Sequence, residues 1–77
     1  MVNIDEICQR LRNNDHTLIE LDLRDNNIGP EGAKTIADCL KNNNSLTKLN
    51  LRNNNIGPEG GQAIGDGIKM LKNLEDI

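Results

Sequence analysis

The sequence predicts an α/β solenoid built from repeated strand–turn–helix units, and three observations carry that reading. Asn26-Asn27-Ile28-Gly29-Pro30-Glu31-Gly32 returns as Asn54-Asn55-Ile56-Gly57-Pro58-Glu59-Gly60, a spacing of 28 residues that marks repeat architecture. The apolar positions travel with the turn: Leu18, Leu21, Leu23, Ile36 and Leu40 map onto Leu46, Leu49, Leu51, Ile64 and Ile68. Within each unit the apolar period changes from two to about 3.6, as a strand followed by a helix requires.

The first segment, residues 3–12, reads as a helix. Ile4, Ile7, Cys8 and Leu11 form an i, i+3, i+4, i+7 stripe, and Asn3 with Glu6 fits a capping box. It has no strand before it and serves as the cap over the end of the solenoid. Next, Leu21 and Leu23 alternate with Glu20, Asp22 and Arg24, a short strand with leucines inward. Gly29-Pro30 breaks it and opens a helix, since proline lacks only an N–H that the first helical turn does not use. Ala33, Ile36, Ala37 and Leu40 follow at helical spacing. Leu49 and Leu51 make the second strand, between Lys48, Asn50 and Arg52. Gly57-Pro58 opens a second full helix expected to run to Lys72, although Gly61, Gly65 and Gly67 each weaken it, a cost that close helix packing would offset. A further step of the period carries Leu46 and Leu49 onto Leu74 and Ile77. The division is therefore 1–17, capping helix and loop; 18–45 and 46–73, two repeats; and 74–77, the start of a third, truncated one.

Leu18-x-x-Leu21-x-Leu23-x-x-Asn26-x-Ile28-Gly29-x-Glu31-Gly32-Ala33, ending in Ala37-x-Cys39-Leu40, resembles the long leucine-rich repeat of the ribonuclease-inhibitor-like kind, found in ribonuclease inhibitor, NLR-type sensors and the Ran GTPase-activating protein. The resemblance covers residues 18–77 and extends to the N-terminal helix. It implies a short right-handed βα horseshoe segment, with parallel strands on the concave face and helices on the convex face, used mainly to bind proteins. It also implies that Asn26 and Asn54 are buried amides that tie neighbouring turns together, so that replacing either by Leu destabilises the chain.

The outward strand positions are then the candidate partner-binding residues: Glu20, Asp22, Arg24 and Asp25, then Lys48, Asn50, Arg52 and Asn53, then Asp76. A purely structural reading stands beside this one. In-register stacking puts Glu20 beside Lys48 and Lys48 beside Asp76, a ladder of opposite charge. Arg24 beside Arg52 is a like-charge pair that needs Asp22, Asp25 or a partner's carboxylate between them. Met70, Leu71 and Ile77 put apolar groups near the C-terminal end. They serve either as a cap over the last core layer or as a self-association surface, joined by the open sheet edges.

Little in the sequence offers chemistry. Cys8 and Cys39 lack a CxxC partner and sit among aliphatic residues at helical spacing, so they read as reduced packing residues. His16, the one histidine, reads as an exposed loop residue, and no spacing favours a metal site. No base lies near a Ser or Cys to make a nucleophile, and no cofactor is implied. Gly57-Pro58-Glu59-Gly60-Gly61 is no phosphate loop, because Glu59 stands where a phosphate would sit. Acids and bases are mixed along 77 residues of net charge -3, which argues against nucleic acid and anionic membrane as partners. The first residues lack the apolar run of a secretion signal, so the expected compartment is the cytoplasm, where Asn43-Asn44-Ser45 would stay unglycosylated. The resulting expectation is a non-catalytic protein-binding module. The alternatives are a self-assembling element or minimal fragment of a longer repeat protein, joined through its ends, and, on resemblance alone, a regulator of a GTPase.

Overall fold

In a computed structural model, which describes residues 2–68 and the backbone of residues 73–76, the elements alternate as read: α1 (Ile4–Arg12), β1 (Glu20–Asp22), α2 (Gly29–Leu40), β2 (Lys48–Leu51), α3 (Gly57–Gly67) and β3 (Asn73–Asp76). The strands form one parallel sheet in the order β1-β2-β3, and the helices pack on one another in chain order as a second layer. Parallel strands need a crossover element between them, and here each crossover is the helix of the same unit.

The core lies between the layers and is wholly aliphatic apart from sulfur. Leu11, Ile36, Leu46, Leu49, Leu51, Ile56 and Ile64 are each at most 1% exposed, and Cys8, Leu18, Leu23, Ile28, Ala33, Ala37, Cys39 and Leu40 complete it. Helix α1 contributes Cys8 and Leu11, with Ile4 and Ile7 partly buried, and the Asn3 side chain caps it by accepting from the Glu6 N–H at 3.1 Å. Neither α2 nor α3 has a side-chain cap. For α2 the neighbouring repeat supplies one, since the Gly29 N–H donates to the Asn54 carbonyl at 2.8 Å.

The turns that connect strand to helix share a backbone signature. Asp25, Asn27 and Gly29 have φ of 59°, 53° and 73°, and Asn53, Asn55 and Gly57 repeat this with 60°, 55° and 70°. Left-handed φ is costly for most side chains but tolerated by Asn, Asp and Gly. This explains why Asp-x-Asn-x-Gly and Asn-x-Asn-x-Gly recur there.

Three expectations are corrected. Helix α3 ends at Gly67 and not at Lys72, which lies outside the described residues; Ile68 is already extended, with φ -80° and ψ 140°. The low helix propensity of Gly65 and Gly67 accounts for the early stop. Gly67 is nonetheless required where it stands, because a Cβ there would lie 2.6 Å from the Ala37 carbonyl oxygen, so α3 crosses α2 at backbone contact. Second, with the helix shorter, β3 pairs in a different register: Leu74 lies opposite Leu49, Asn73 opposite Lys48 and Asp76 opposite Leu51. Lys48 thus pairs with Asn73 and not with Asp76, and Leu49 pairs with Leu74, while Ile77 lies outside the described residues; alignment of Leu74 with Leu49 keeps leucine beside leucine.

The third correction concerns the cysteines. Cys8 and Cys39 are not separate thiols but meet as a disulfide between α1 and α2, their Cα atoms 5.4 Å apart, within the usual span of such a bridge. Each stands on the buried side of its helix, at 3% and 1% exposure, and the packing of α1 on α2 brings them together.

Candidate functional site

The outer side of the strand layer gathers most of the candidate residues. Glu20, Leu21, Asp22, Arg24, Lys48 and Asn50 line one depression of about 200 Å³. Glu20, Asp22, Arg24 and Lys48 are exposed and Asn50 half-buried, because strand alternation sends their neighbours Leu23, Leu49 and Leu51 into the core. The register sets Glu20 opposite Lys48 and Asp22 opposite Asn50, and on β3 it places Glu75 opposite Asn50 and Asp76 opposite Leu51 rather than Lys48.

Charge on this face is divided. Asp22 Oδ1 accepts from Arg24 Nε at 3.1 Å and from the Arg24 N–H at 3.2 Å, so Asp22 both neutralises that arginine and closes its turn. The like-charge problem of Arg24 beside Arg52 is relieved from the β1 side by this pair. Asn50 Oδ1 accepts from the Arg52 N–H at 3.0 Å, the same turn without the charge. Among the described residues, neither Lys48 nor Arg52 makes an ion pair and no ion pair joins Glu20 to Lys48. The face is therefore acidic along β1 and basic along β2. Asp25, Arg52 and Asn53 are exposed but do not line the depression, and Asp25 and Asn53 are set by their left-handed backbone as turn residues. Met70, Leu71 and Ile77 lie outside the described residues.

Beneath this face the two repeat asparagines differ. Asn54 is fully buried; its Oδ1 accepts from the N–H groups of Asn26 at 2.8 Å and Ile28 at 3.3 Å, and its Nδ2 donates to the carbonyls of Leu23 at 2.7 Å, Leu51 at 3.0 Å and Arg52 at 3.3 Å. It thus stitches the turn after β2 to the turn after β1. Asn26 is only half-buried, and its Nδ2 donates to the Arg24 carbonyl of its own turn at 2.9 Å. The difference follows from topology: Asn54 has a preceding strand to reach back to, and among the described residues Asn26 has none.

A second buried amide had no counterpart in the sequence reading. Asn43 is 3% exposed; its Oδ1 accepts from Ser45 and Leu46 N–H at 3.1 and 2.8 Å, and its Nδ2 donates to the Leu11 carbonyl at 3.2 Å. In the folded chain the amide nitrogen is thereby committed to the Leu11 carbonyl, near the end of α1. One repeat earlier Asp15 plays the same part: its Oδ1 accepts from the Thr17 N–H at 2.9 Å and the Thr17 hydroxyl at 2.6 Å, while its other oxygen meets Arg10 at 3.0 Å. The Thr17 hydroxyl first, then the Thr17 N–H and Arg10, draw the Asp15 carboxyl down from 3.8 to about 2. The recurring Asp-x-Thr and Asn-x-Ser at the 28-residue spacing was the available signal.

On the other layer, Lys34, Ala37, Asp38, Lys41, Ala63 and Asp66 line a groove between α2 and α3. Lys34 Nζ lies 3.6 Å from Glu31 and 3.5 Å from Glu59, and the two carboxylates, Glu31 foremost, raise its pKa. His16 is exposed in the loop before β1. Among the described residues no cluster of His, Cys, Asp and Glu is arranged to hold a metal ion, and no helix is long and apolar enough to cross a membrane.

A sequence model described as Leucine Rich repeat matches residues 14–37 and again 42–65. The second match begins 28 residues after the first, so each takes in a turn residue Asp15 or Asn43, a strand, a left-handed turn and the first part of a helix. A comparison with curated proteins returns no match. With more than half of its length matched in two successive copies, the chain belongs to the leucine-rich-repeat family.

Proposed function

We propose that the chain is a non-catalytic protein-binding module, a short leucine-rich-repeat solenoid of the ribonuclease-inhibitor-like kind that presents its strand layer as a concave recognition face. Leucine-rich repeats generally serve as protein-interaction modules, and the described residues of this one build a scaffold of strands and helices. The observation that carries the reading is the depression lined by Glu20, Asp22, Arg24, Lys48 and Asn50. Glu20 and Asp22 from β1, Lys48 and Asn50 from β2, and Arg24 from the turn after β1 converge there on a parallel sheet, acidic along β1 and basic at Lys48. Rigid strands carrying varied side chains are a good platform for recognition, since little ordering entropy is lost on binding.

The division of charge says what a partner surface should look like: basic groups toward β1 and acidic groups toward Lys48 on β2 and Arg52 just after it. Such a face steers and selects more than it glues, so the expected complex is salt-sensitive.

The test is a comparison of retained proteins. Immobilised wild-type chain and a variant carrying Lys48→Glu with Arg52→Glu are exposed to the same extract, after circular dichroism has shown equal folding. Specific proteins held by the wild type and released by the variant support the reading. Identical sets on both surfaces would remove the strand face as the binding site.

A further inference from the structure

We infer that the seam between α1 and α2 is a redox-responsive joint, locked while Cys8 and Cys39 are bonded and opening locally once a dithiol reductant has parted them. The repeat shows what the two cysteines replace. A shift of 28 residues carries Cys39 onto Gly67 and Cys8 onto Ile36, and a second shift carries Ile36 onto Ile64.

Between α2 and α3 the seam is closed by direct approach of the helices. A Cβ at Gly67 would lie 2.6 Å from the Ala37 carbonyl oxygen, and one at Gly60 would lie 3.0 Å from the Ala33 Cβ and 3.5 Å from the Pro30 Cα. Ile36 and Ile64, both fully buried, fill the layer beneath. Redox state does not reach this seam, since the chain's two cysteines meet in the other one.

The α1–α2 seam gives up both devices at one point. A cysteine stands at the glycine position, where a side chain replaces backbone contact, and the other stands at the isoleucine position. At Gly32, the counterpart of Gly60, the nearest part of α1 is the flexible tip of Ile4, 3.1 Å from where a Cβ would stand. Ile4 and Ile7 are only partly buried. The bond between Cys8 and Cys39 is thus the firm tie in the middle of the seam. Further along, Leu11 is fully buried and its carbonyl accepts from Asn43 Nδ2 at 3.2 Å, while Asn14 Oδ1 accepts from the Asn44 N–H at 2.8 Å. These contacts survive reduction and form the hinge about which the rest of α1 parts from α2.

The reduced state is also provided for. Cys8 Sγ lies 3.6 Å from the Thr35 carbonyl oxygen, to which a disulfide sulfur donates nothing but a thiol donates its proton. The redox step balances. A thiolate of the dithiol attacks one sulfur and displaces the other, and its second thiol then closes on the mixed disulfide. The protein gains two electrons and two protons, and the dithiol leaves as a cyclic disulfide. Because Cys8 and Cys39 are 3% and 1% exposed, reagents reach the sulfurs only when the seam parts. Reactivity at these atoms therefore measures the opening itself.

The test follows the thiols and is independent of the strand face. The 77-residue chain is reduced with dithiothreitol, freed of it without oxygen, and labelled with iodoacetamide in urea concentrations below the unfolding transition, with mass spectrometry as readout. The reduced chain should keep its far-ultraviolet circular dichroism. Both thiols should label at a rate that is flat at low urea, because a local opening exposes little surface, and about tenfold or more above what global unfolding of the same reduced chain permits. On reduction the amides of α1 should lose about tenfold more protection from hydrogen exchange than those of α3. Labelling that climbs with urea from the outset, along the slope of global unfolding, would overturn the inference, since the bridge would then be a staple of the whole fold. Unfolding on reduction, or protection lost equally in α1 and α3, would overturn it too.

Discussion

Truncating the two repeat asparagines should have very different consequences, although the sequence presents them as equivalents. Asn54→Ala removes five contacts of 2.7 to 3.3 Å from a fully buried site. The N–H groups of Asn26 and Ile28 lose their acceptor where water does not easily follow, at about 1–3 kcal/mol each. The carbonyls it serves keep a second lone pair and lose less, so the total is about 3–5 kcal/mol. A domain of this length has only about 4–12 kcal/mol in hand, so the variant sits at the margin of folding. Asn26→Ala gives up a single exposed bond to the Arg24 carbonyl, which water replaces, at a cost of about 0.5 kcal/mol. The chain has no Phe, Tyr or Trp, so urea unfolding is best followed by far-ultraviolet circular dichroism. Failure of Asn54→Ala to fold beside a folded Asn26→Ala would show the same ranking. Equal midpoints for the Asn26 and Asn54 variants would refute the argument, because they would mean that the cross-repeat bonds contribute nothing beyond the local turn.

Three further outcomes are expected. Gly65→Ala should raise stability by about 0.5–1 kcal/mol, since a Cβ there meets nothing within 4 Å, whereas Gly67→Ala should lower it because of the Ala37 carbonyl; thermal melts of the pair decide whether helix propensity or helix packing governs each position. The Asp15 carboxyl should titrate near 2 by carboxyl-carbon NMR and move back toward 3.8 in Thr17→Val; its lowered pKa means that its contribution is intact above its ordinary value and fades as pH falls from about 4 through about 2, and an unchanged midpoint in Thr17→Val would contradict the assigned cause. Reduction of Cys8–Cys39, a bridge spanning 31 residues, should lower the melting temperature, the chain-entropy effect being about 3–4 kcal/mol. Quantitative alkylation of both thiols in the native, unreduced chain would show that the bridge is not formed.

What could be read from the sequence and what could not divide along a physical line. Strands, helices and the inward leucines were legible because each depends on local periodicity, and the 28-residue spacing then supplied the parallel register of β1 on β2. Features that depend on where the repeat changes were not. The shift of β3 by which Leu74 meets Leu49 comes from α3 ending early at Gly67, and extrapolating the period carried Ile77 there instead. Local sequence shows each cysteine only as a packing residue of its own helix, and only the packing of α1 against α2 makes Cys8 and Cys39 a pair. Such a bridge persists best in oxidising surroundings, so the thiol state inside a cell also bears on the compartment, for which the first residues gave a cytoplasmic expectation. The two asparagines make the point most sharply. A repeat reading assigns Asn26 and Asn54 one role, but a residue that reaches back to the preceding unit behaves differently in a unit whose strand has no predecessor among the described residues.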